Sequence, residues 1–71
     1  MSRTNPWGVT DGEARALDAV IEHGCQKAAA RELHLSLRTI EAHLSRARNR
    51  MGLDGRIKPL IEWDRFRRAA G

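Results

Sequence analysis

The chain has 71 residues, three histidines, a net charge of +4 and an aromatic content of only 4%. A chain of this length forms one domain at most and lies near the lower limit for a self-supporting hydrophobic core. Such a small aliphatic core has little room for a substrate pocket, and the histidines fall on three different predicted elements. We therefore expect no enzyme activity, no metal site and no cofactor.

Positive charge is concentrated in the second half of the chain. Residues 1–35 hold four Lys or Arg and five Asp or Glu, a net charge of −1, whereas residues 36–71 hold nine and four, a net charge of +5. A basic half suits contact with nucleic acid phosphates, although membrane surfaces and acidic partners attract the same charge.

Cysteine usage and hydropathy indicate a cytoplasmic protein. Cys25 is the only cysteine, so no intramolecular disulfide forms and a reducing compartment is expected. We favour a small, partly buried role for Cys25 over an intermolecular bridge. No apolar stretch approaches the ~20 residues of a membrane span, and no signal-peptide pattern opens the chain. We expect no membrane contact.

The predicted elements begin after an irregular arm at residues 1–9. We expect Trp7 to fold back onto the domain, whereas Arg3 is a candidate minor-groove contact that nothing else in the sequence supports. Thr10 and Glu13 then form a capping box that opens a helix over residues 11–23, and Gly24 ends it in the left-handed conformation. Its inward side carries Glu13, Leu17, Val20 and Ile21. We take Arg56 as the hypothetical ion-pair partner of Glu13.

A second helix is predicted over residues 26–34. The run Ala28–Ala30 favours a helix and lets another helix backbone approach closely, as a helix-turn-helix unit requires. His34 occupies the turn position where such units usually have Gly, which tolerates positive φ. We therefore expect a slightly different turn here. A metal role for His34 is not expected, because no second ligand lies at zinc-site spacing.

The third helix, predicted over residues 37–51, has the profile of a DNA recognition helix. Ser36 caps its start and Gly52 ends it. At about 100° per residue, a narrow core-facing stripe contains Ile40, Leu44, Ala47 and Met51. The opposite side carries Arg38, Ala42, Ser45 and Asn49, one flank carries Thr39, His43, Arg46 and Arg50, and the other flank carries Glu41 and Arg48. Donors and cations around a thin buried edge favour DNA reading over a merely solvated helix.

A fourth helix is predicted over residues 56–66, followed by a flexible tail at residues 67–71. Its inward stripe is predicted to be Ile57, Leu60 and Ile61. Pro59, Trp63 and Phe66 then form an outward patch that predicts a homodimer through this helix. The alternative is that Trp63 and Phe66 pack against Trp7. Pro59 also indicates that the helix bends, or begins later than residue 56.

Four short motifs follow one another between Val9 and Leu60. They are Val9-Thr10 with Glu13, Gln26-Lys27 with Ala30 and Leu33, Ser36 with Thr39, Ile40 and His43, and Arg50-Met51-Gly52 with Arg56. This series resembles the LuxR-type (GerE-like) helix-turn-helix domain of bacterial transcription regulators. The resemblance implies an all-α, four-helix domain over residues 10–66. The chain as given lacks the sensory part that many such regulators carry, so it resembles the stand-alone members.

The resemblance also implies residue roles. Lys27, Thr39 and His43 match phosphate contacts of the family, and Glu41, Ala42 and Ser45 match base-reading positions. Together with the helical wheel, the expected base-reading residues are Arg38, Glu41, Ala42, Ser45 and Asn49, and the expected phosphate contacts are Lys27, Thr39, His43, Arg46 and Arg50. The family's fourth helix commonly forms the dimer interface, here the patch of Pro59, Trp63 and Phe66.

Three positions depart from the family pattern. Gly12 replaces a usual Arg, and Gly24 lies one residue later than the usual Gly. Glu41 stands where the family often has Lys. Its carboxylate either accepts from cytosine N4, pairs with Arg38 or Arg48, or weakens DNA binding.

The expected function is a dimeric, sequence-specific regulator that binds double-stranded DNA. A sigma region-4-like module is an alternative, because Ser45-Arg46-Ala47-Arg48 also fits that helix. A third reading is a protein-interaction module that docks on a larger regulator or on RNA polymerase through Trp63 and Phe66.

Overall fold

The computed structural model describes residues 5–70 and folds them into four α-helices. These are α1 (Asp11–His23), α2 (Gln26–Leu33), α3 (Leu37–Met51) and α4 (Ile57–Ala70), and this range contains no strand. The predicted all-α, four-helix architecture is confirmed, and so are the bounds of α1 and α3. Arg3 and the other residues of the range 1–4, together with residue 71, lie outside the described part.

Local caps explain where the helices begin and end. Thr10 Oγ1 accepts from the Glu13 N–H at 3.3 Å, and Glu13 Oε1 accepts from the Thr10 N–H at 3.2 Å, which is the predicted capping box. Gly24 and Gly52 end α1 and α3 with φ values of 82° and 68°. An N-terminal cap such as that of Thr10 stabilises the folded helix by about 1 kcal/mol.

Small residues draw the first two helices together. Ala16 and Ala19 of α1 pack with Ala29 and Ala30 of α2, and Ile40 of α3 closes the cluster. All five side chains are buried. Alanines permit this close approach because their side chains add little width to either helix. The cluster fixes the position of α3 against the first two helices.

The face of α4 that packs on the core differs from the sequence prediction. Trp63 is 0% exposed and Pro59 is fully buried, whereas Ile57 and Ile61 are 65% and 51% exposed. Of the predicted inward stripe, Leu60 does pack against the core, whereas the inward positions predicted for Ile57 and Ile61 are wrong. The predicted outward patch is also wrong, because Trp63 is buried in the core and Phe66 packs against it. The indole of Trp63 buries far more apolar area than an isoleucine side chain does, which favours this rotation of the helix.

The N-terminal arm supplies the cover that α4 needs. The Trp7 ring lies 6.0 Å from that of Trp63 and 5.4 Å from that of Phe66, measured between centroids. Trp7 therefore folds back as predicted, and the alternative packing of Trp63 and Phe66 is confirmed. Asn5 orders the arm, since its side-chain oxygen accepts from the backbone N–H groups of Trp7 and Val9.

The last helix also begins one residue later and continues further than predicted. Its start at Ile57 places Pro59 in the first turn, where the missing N–H has no partner to lose. Residues 67–70, predicted as a flexible tail, are helical. Arg67 holds this end, because its guanidinium bonds Asp64 at 2.9 Å and reaches Asp18 of α1 at 3.4 Å.

Candidate nucleic-acid interface

The turn between α2 and α3 has the left-handed geometry although His34, which forms it, carries a side chain. His34 has φ 56° and ψ 40°, the conformation that Gly adopts most easily. The Leu35 N–H donates to the Ala30 carbonyl at 2.9 Å, which closes the end of α2 one residue earlier than predicted. The expectation of a different turn is therefore wrong. A non-glycine residue in this conformation costs roughly 1 kcal/mol, which the flanking backbone bonds offset.

The start of α3 is capped and open to solvent. Ser36 Oγ accepts from the Thr39 N–H at 3.1 Å and lies 2.9 Å from Thr39 Oγ1. The Thr39 side chain is half-buried, while Leu37 and Arg38 are exposed. The first turn of a helix has N–H groups without intrahelical partners and the positive end of the helix dipole, so this end of α3 favours an anion.

The third helix buries only a thin edge. Ile40, Ala47 and Met51 are buried and Leu44 is half-buried, so the predicted core stripe is confirmed. Arg38, Arg46 and Asn49 are exposed on the remaining surface, and Ala42 and Ser45 are partly exposed between them. Lys27, on the first turn of α2, is also exposed. These six residues are among the ten that the sequence assigned to DNA contact.

Arg50 has a structural partner that the sequence did not predict. Its Nε atom lies 2.9 Å from Oε1 of Glu13, and Glu13 is only 2% exposed. The predicted pairing of Glu13 with Arg56 is therefore wrong. Glu13 lies on the side of α1 that faces α3, and Arg50 lies on the flank of α3 that faces α1. The Arg50 side chain remains 44% exposed, so part of the guanidinium still meets solvent.

His43 packs against the start of α1. His43 is half-buried, and its Nδ1 atom is buried without a hydrogen-bond partner among the described residues. A Cβ built on Gly12 would lie 3.2 Å from His43 Cε1. The glycine at this position thus makes room for the imidazole. The departure of Gly12 from the family pattern was the only signal of this contact.

Glu41 lies on a flank of α3 beside a cleft. It is exposed and lines that cleft together with Arg48. Within the described part of the chain it makes no ion pair with Arg38 or Arg48. The pairing that the sequence left open for Glu41 is therefore absent, and the other two roles stay predictions.

Cys25 is exposed rather than partly buried. Its Sγ accepts from the Ala28 N–H at 3.5 Å and so caps α2, a role that the sequence did not indicate. Among residues 5–70, no three His, Cys, Asp or Glu side chains come together in a way that would hold a metal ion. None of the four described helices is long and apolar enough to cross a membrane.

No protein-family model, no curated protein and no solved structure matches this chain. The likeness to the LuxR type therefore rests on the motif residues quoted above.

Proposed function

We propose that this chain is a LuxR-type helix-turn-helix protein that binds double-stranded DNA with α3 in the major groove. The observation that carries the proposal is the surface of α3. A 15-residue helix buries only three of its side chains fully and presents arginines, an asparagine and small residues outward. A major groove about 12 Å wide accommodates such a helix.

Phosphate contacts and base contacts divide between the exposed side chains. Lys27 and Arg46 are exposed and make no ion pair within the described residues, so their charge is available to phosphates. The capped start of α3 offers backbone N–H groups to another phosphate. Arg38, Ser45 and Asn49 face the bases, because they lie opposite the buried edge. Small Ala42 allows close approach of the groove floor.

Two copies bound to a site with two-fold symmetry would bring two α3 helices to successive major grooves. Pro59 and Trp63 are buried within one chain and Phe66 packs against Trp7, so we do not assign the dimer contacts to these three residues. A dimer through α4 would instead use its exposed face, on which Ile57 and Ile61 lie one turn apart.

A salt titration with random-sequence duplex DNA tests the proposal. Each phosphate contact contributes a slope of roughly −0.9 in log affinity against log salt. The double variant Lys27→Ala/Arg46→Ala should therefore lose about two units of slope relative to the unaltered chain. Binding is read from the fluorescence anisotropy of a labelled duplex.

A matched control separates the α3 surface from net charge alone. Arg65→Ala/Arg68→Ala removes the same number of charges from α4, where both side chains are exposed and, among residues 5–70, pair with neighbours on that helix. This variant should keep most of the slope. Equal losses in the two variants, or no binding by the unaltered chain at low salt, would contradict the proposal.

The exposed isoleucines of α4 favour one second candidate, a module that docks on a protein such as a larger regulator or RNA polymerase. Ile57 and Ile61 are large apolar side chains that the described chain leaves uncovered. A chain of this class would form a protein complex while showing no salt-dependent DNA affinity in the same titration. A sigma region-4-like module would instead bind DNA, so this titration does not separate it from the LuxR type.

A further inference from the structure

A cleft of about 360 Å³ opens where all four helices approach one another. Its apolar wall is formed by side chains of three helices, namely Leu17 and Val20 of α1, Leu44 of α3 and Leu60 of α4. The start of α2 forms another side. Its volume lies within the roughly 300–1,000 Å³ that is typical of small-molecule sites. Glu41, an expected base-reading residue, also lines the cleft, whereas Arg38, Ala42, Ser45 and Asn49 do not.

Two arginines without ionic partners stand at this cleft. Arg48 of α3 and Arg56, just before α4, both line it, and neither has a carboxylate within 4.0 Å among the described residues. Arg38 and Arg46 also lack such partners among the described residues, whereas Arg50 pairs with Glu13 and Arg67 with Asp64. The unpaired guanidinium groups therefore remain available to an anion.

The remaining charge at the cleft limits the anion that fits. Glu41 also lines it, so these three side chains together carry one net positive charge. A singly charged carboxylate matches this charge better than a phosphate dianion does. A guanidinium group also matches the planar shape of a carboxylate and donates two hydrogen bonds to it.

We propose that this cleft binds a small amphipathic carboxylate, with its apolar body against Leu17, Val20, Leu44 and Leu60 and its carboxylate on Arg48 and Arg56. This inference goes beyond DNA binding and does not depend on it. A bound ligand would touch α3 through Leu44 and Arg48, and it would tie α3 to the start of α4.

An NMR titration of the ¹⁵N-labelled full chain with 4-phenylbutyrate tests the proposal. The backbone signals of Gly24, Leu44 and Leu60 should shift together and saturate, since these residues line three sides of the cleft. The neutral alcohol 4-phenylbutan-1-ol has the same apolar body. It should bind roughly fivefold more weakly, because two solvent-exposed ion pairs of about 0.5 kcal/mol each contribute about 1 kcal/mol together.

Charge-matched variants complete the experiment. Arg48→Gln/Arg56→Gln should lower the affinity for 4-phenylbutyrate by roughly the same factor and leave the affinity for the alcohol unchanged. Arg65→Gln/Arg68→Gln, away from the cleft, should bind the carboxylate as the unaltered chain does. The proposal is overturned if the acid and the alcohol bind equally, or if shifts scatter over the surface without saturating. The comparison of the two ligands needs only the unaltered chain, so it holds even if a variant fails to fold.

Discussion

The contact between Gly12 and His43 sets the position of a side chain on α3. The imidazole occupies the space that a side chain at position 12 would need, and its Nδ1 atom faces the protein interior. The backbone of Gly12 is helical, so its role is steric rather than conformational. His43 is one of the expected phosphate contacts. The position of its ring is therefore constrained by a residue of another helix.

We predict that Gly12→Ala displaces the His43 ring without unfolding the protein. The added Cβ would lie 3.2 Å from Cε1, so the ring must move by a few tenths of an ångström. Alanine favours a helix over glycine by up to about 1 kcal/mol, which offsets the crowding. The ring proton on Cε1 should shift in the NMR spectrum while the thermal midpoint changes little. An unchanged His43 signal would contradict this prediction, and Arg15→Ala on the exposed side of α1 is the control.

At the scale of the element, the cap of α3 serves both folding and the proposed DNA contact. Ser36→Ala should destabilise the fold by about 1 kcal/mol, because the Thr39 N–H loses its acceptor. Ser36→Asp should retain the stability, since aspartate caps equally well and favours the positive end of the helix dipole. Its negative charge should nevertheless weaken DNA binding by repelling phosphate.

Urea denaturation and the DNA titration measured on both Ser36 variants distinguish these effects. Ser36→Ala should mainly lower the free energy of unfolding, and Ser36→Asp should mainly lower the DNA affinity. If Ser36→Asp binds DNA as tightly as the unaltered chain, the start of α3 does not face a phosphate.

The elements that the sequence predicted well are those set by local chemistry. Thr10 and Ser36 cap helices through atoms three residues away, and Gly24 and Gly52 end helices through their own backbone freedom. These signals lie within a few residues of the boundary. They fix α1 and α3 regardless of the rest of the fold.

The face of α4 could not be read in the same way. Ile57 and Ile61 have the same helical spacing as Pro59 and Trp63, so periodicity alone allows either face to turn inward. The choice depends on Trp7, which lies more than fifty positions earlier in the chain. Asp18 of α1 adds a second distant contact, since it accepts from Trp63 Nε1 at 2.8 Å. Both contacts join residues that are distant in the sequence, so the pattern of α4 alone does not reveal them.

The candidate site was predicted in outline but not in its ionic details. The outward positions of Arg38, Arg46 and Asn49 follow from the wheel of α3 and are exposed in the structure. The ion-pair partner of Glu13 cannot be predicted from the spacing of residues in the sequence, because it depends on how α3 crosses α1. Arg50, assigned to phosphate from the sequence, proved to be that partner.

Across the whole molecule, the ion pairs divide the arginines into two groups. The arginines near the end of α4 are held by carboxylates, with Arg67 joined to α1 through Asp18 and Glu22. On α3, Arg38 and Arg46 have no such partner among the described residues. The unpaired charges of Arg38 and Arg46 thus lie on the side that we assign to DNA, where they would orient the protein before contact.

The Arg67 cluster predicts how stability depends on pH. The hydrogen bond from Arg67 lowers the pKa of Asp64 below its usual value of 3.8, and the second bond from Arg68 acts in the same direction. A carboxylate with a lowered pKa in the folded state stabilises the fold above the unfolded pKa, and this stabilisation is lost as the pH falls through the folded value. For Arg67 itself, burial acts to lower the pKa, but the bond to Asp64 and the charge of Asp18 raise it.

Arg67→Gln should therefore have a lower free energy of unfolding than the unaltered chain at pH 7. On acidification, its free energy of unfolding should fall by less than that of the unaltered chain. The difference in the free energy of unfolding between the two proteins should be constant from neutral pH down to about pH 4 and should narrow below it. Urea denaturation at a series of pH values measures this difference. Arg65→Gln removes the neighbouring exposed pair with Glu62 and should leave the curve nearly unchanged. A difference that stays constant to pH 2 would show that ionised Asp64 does not contribute to the stabilisation that Arg67 provides.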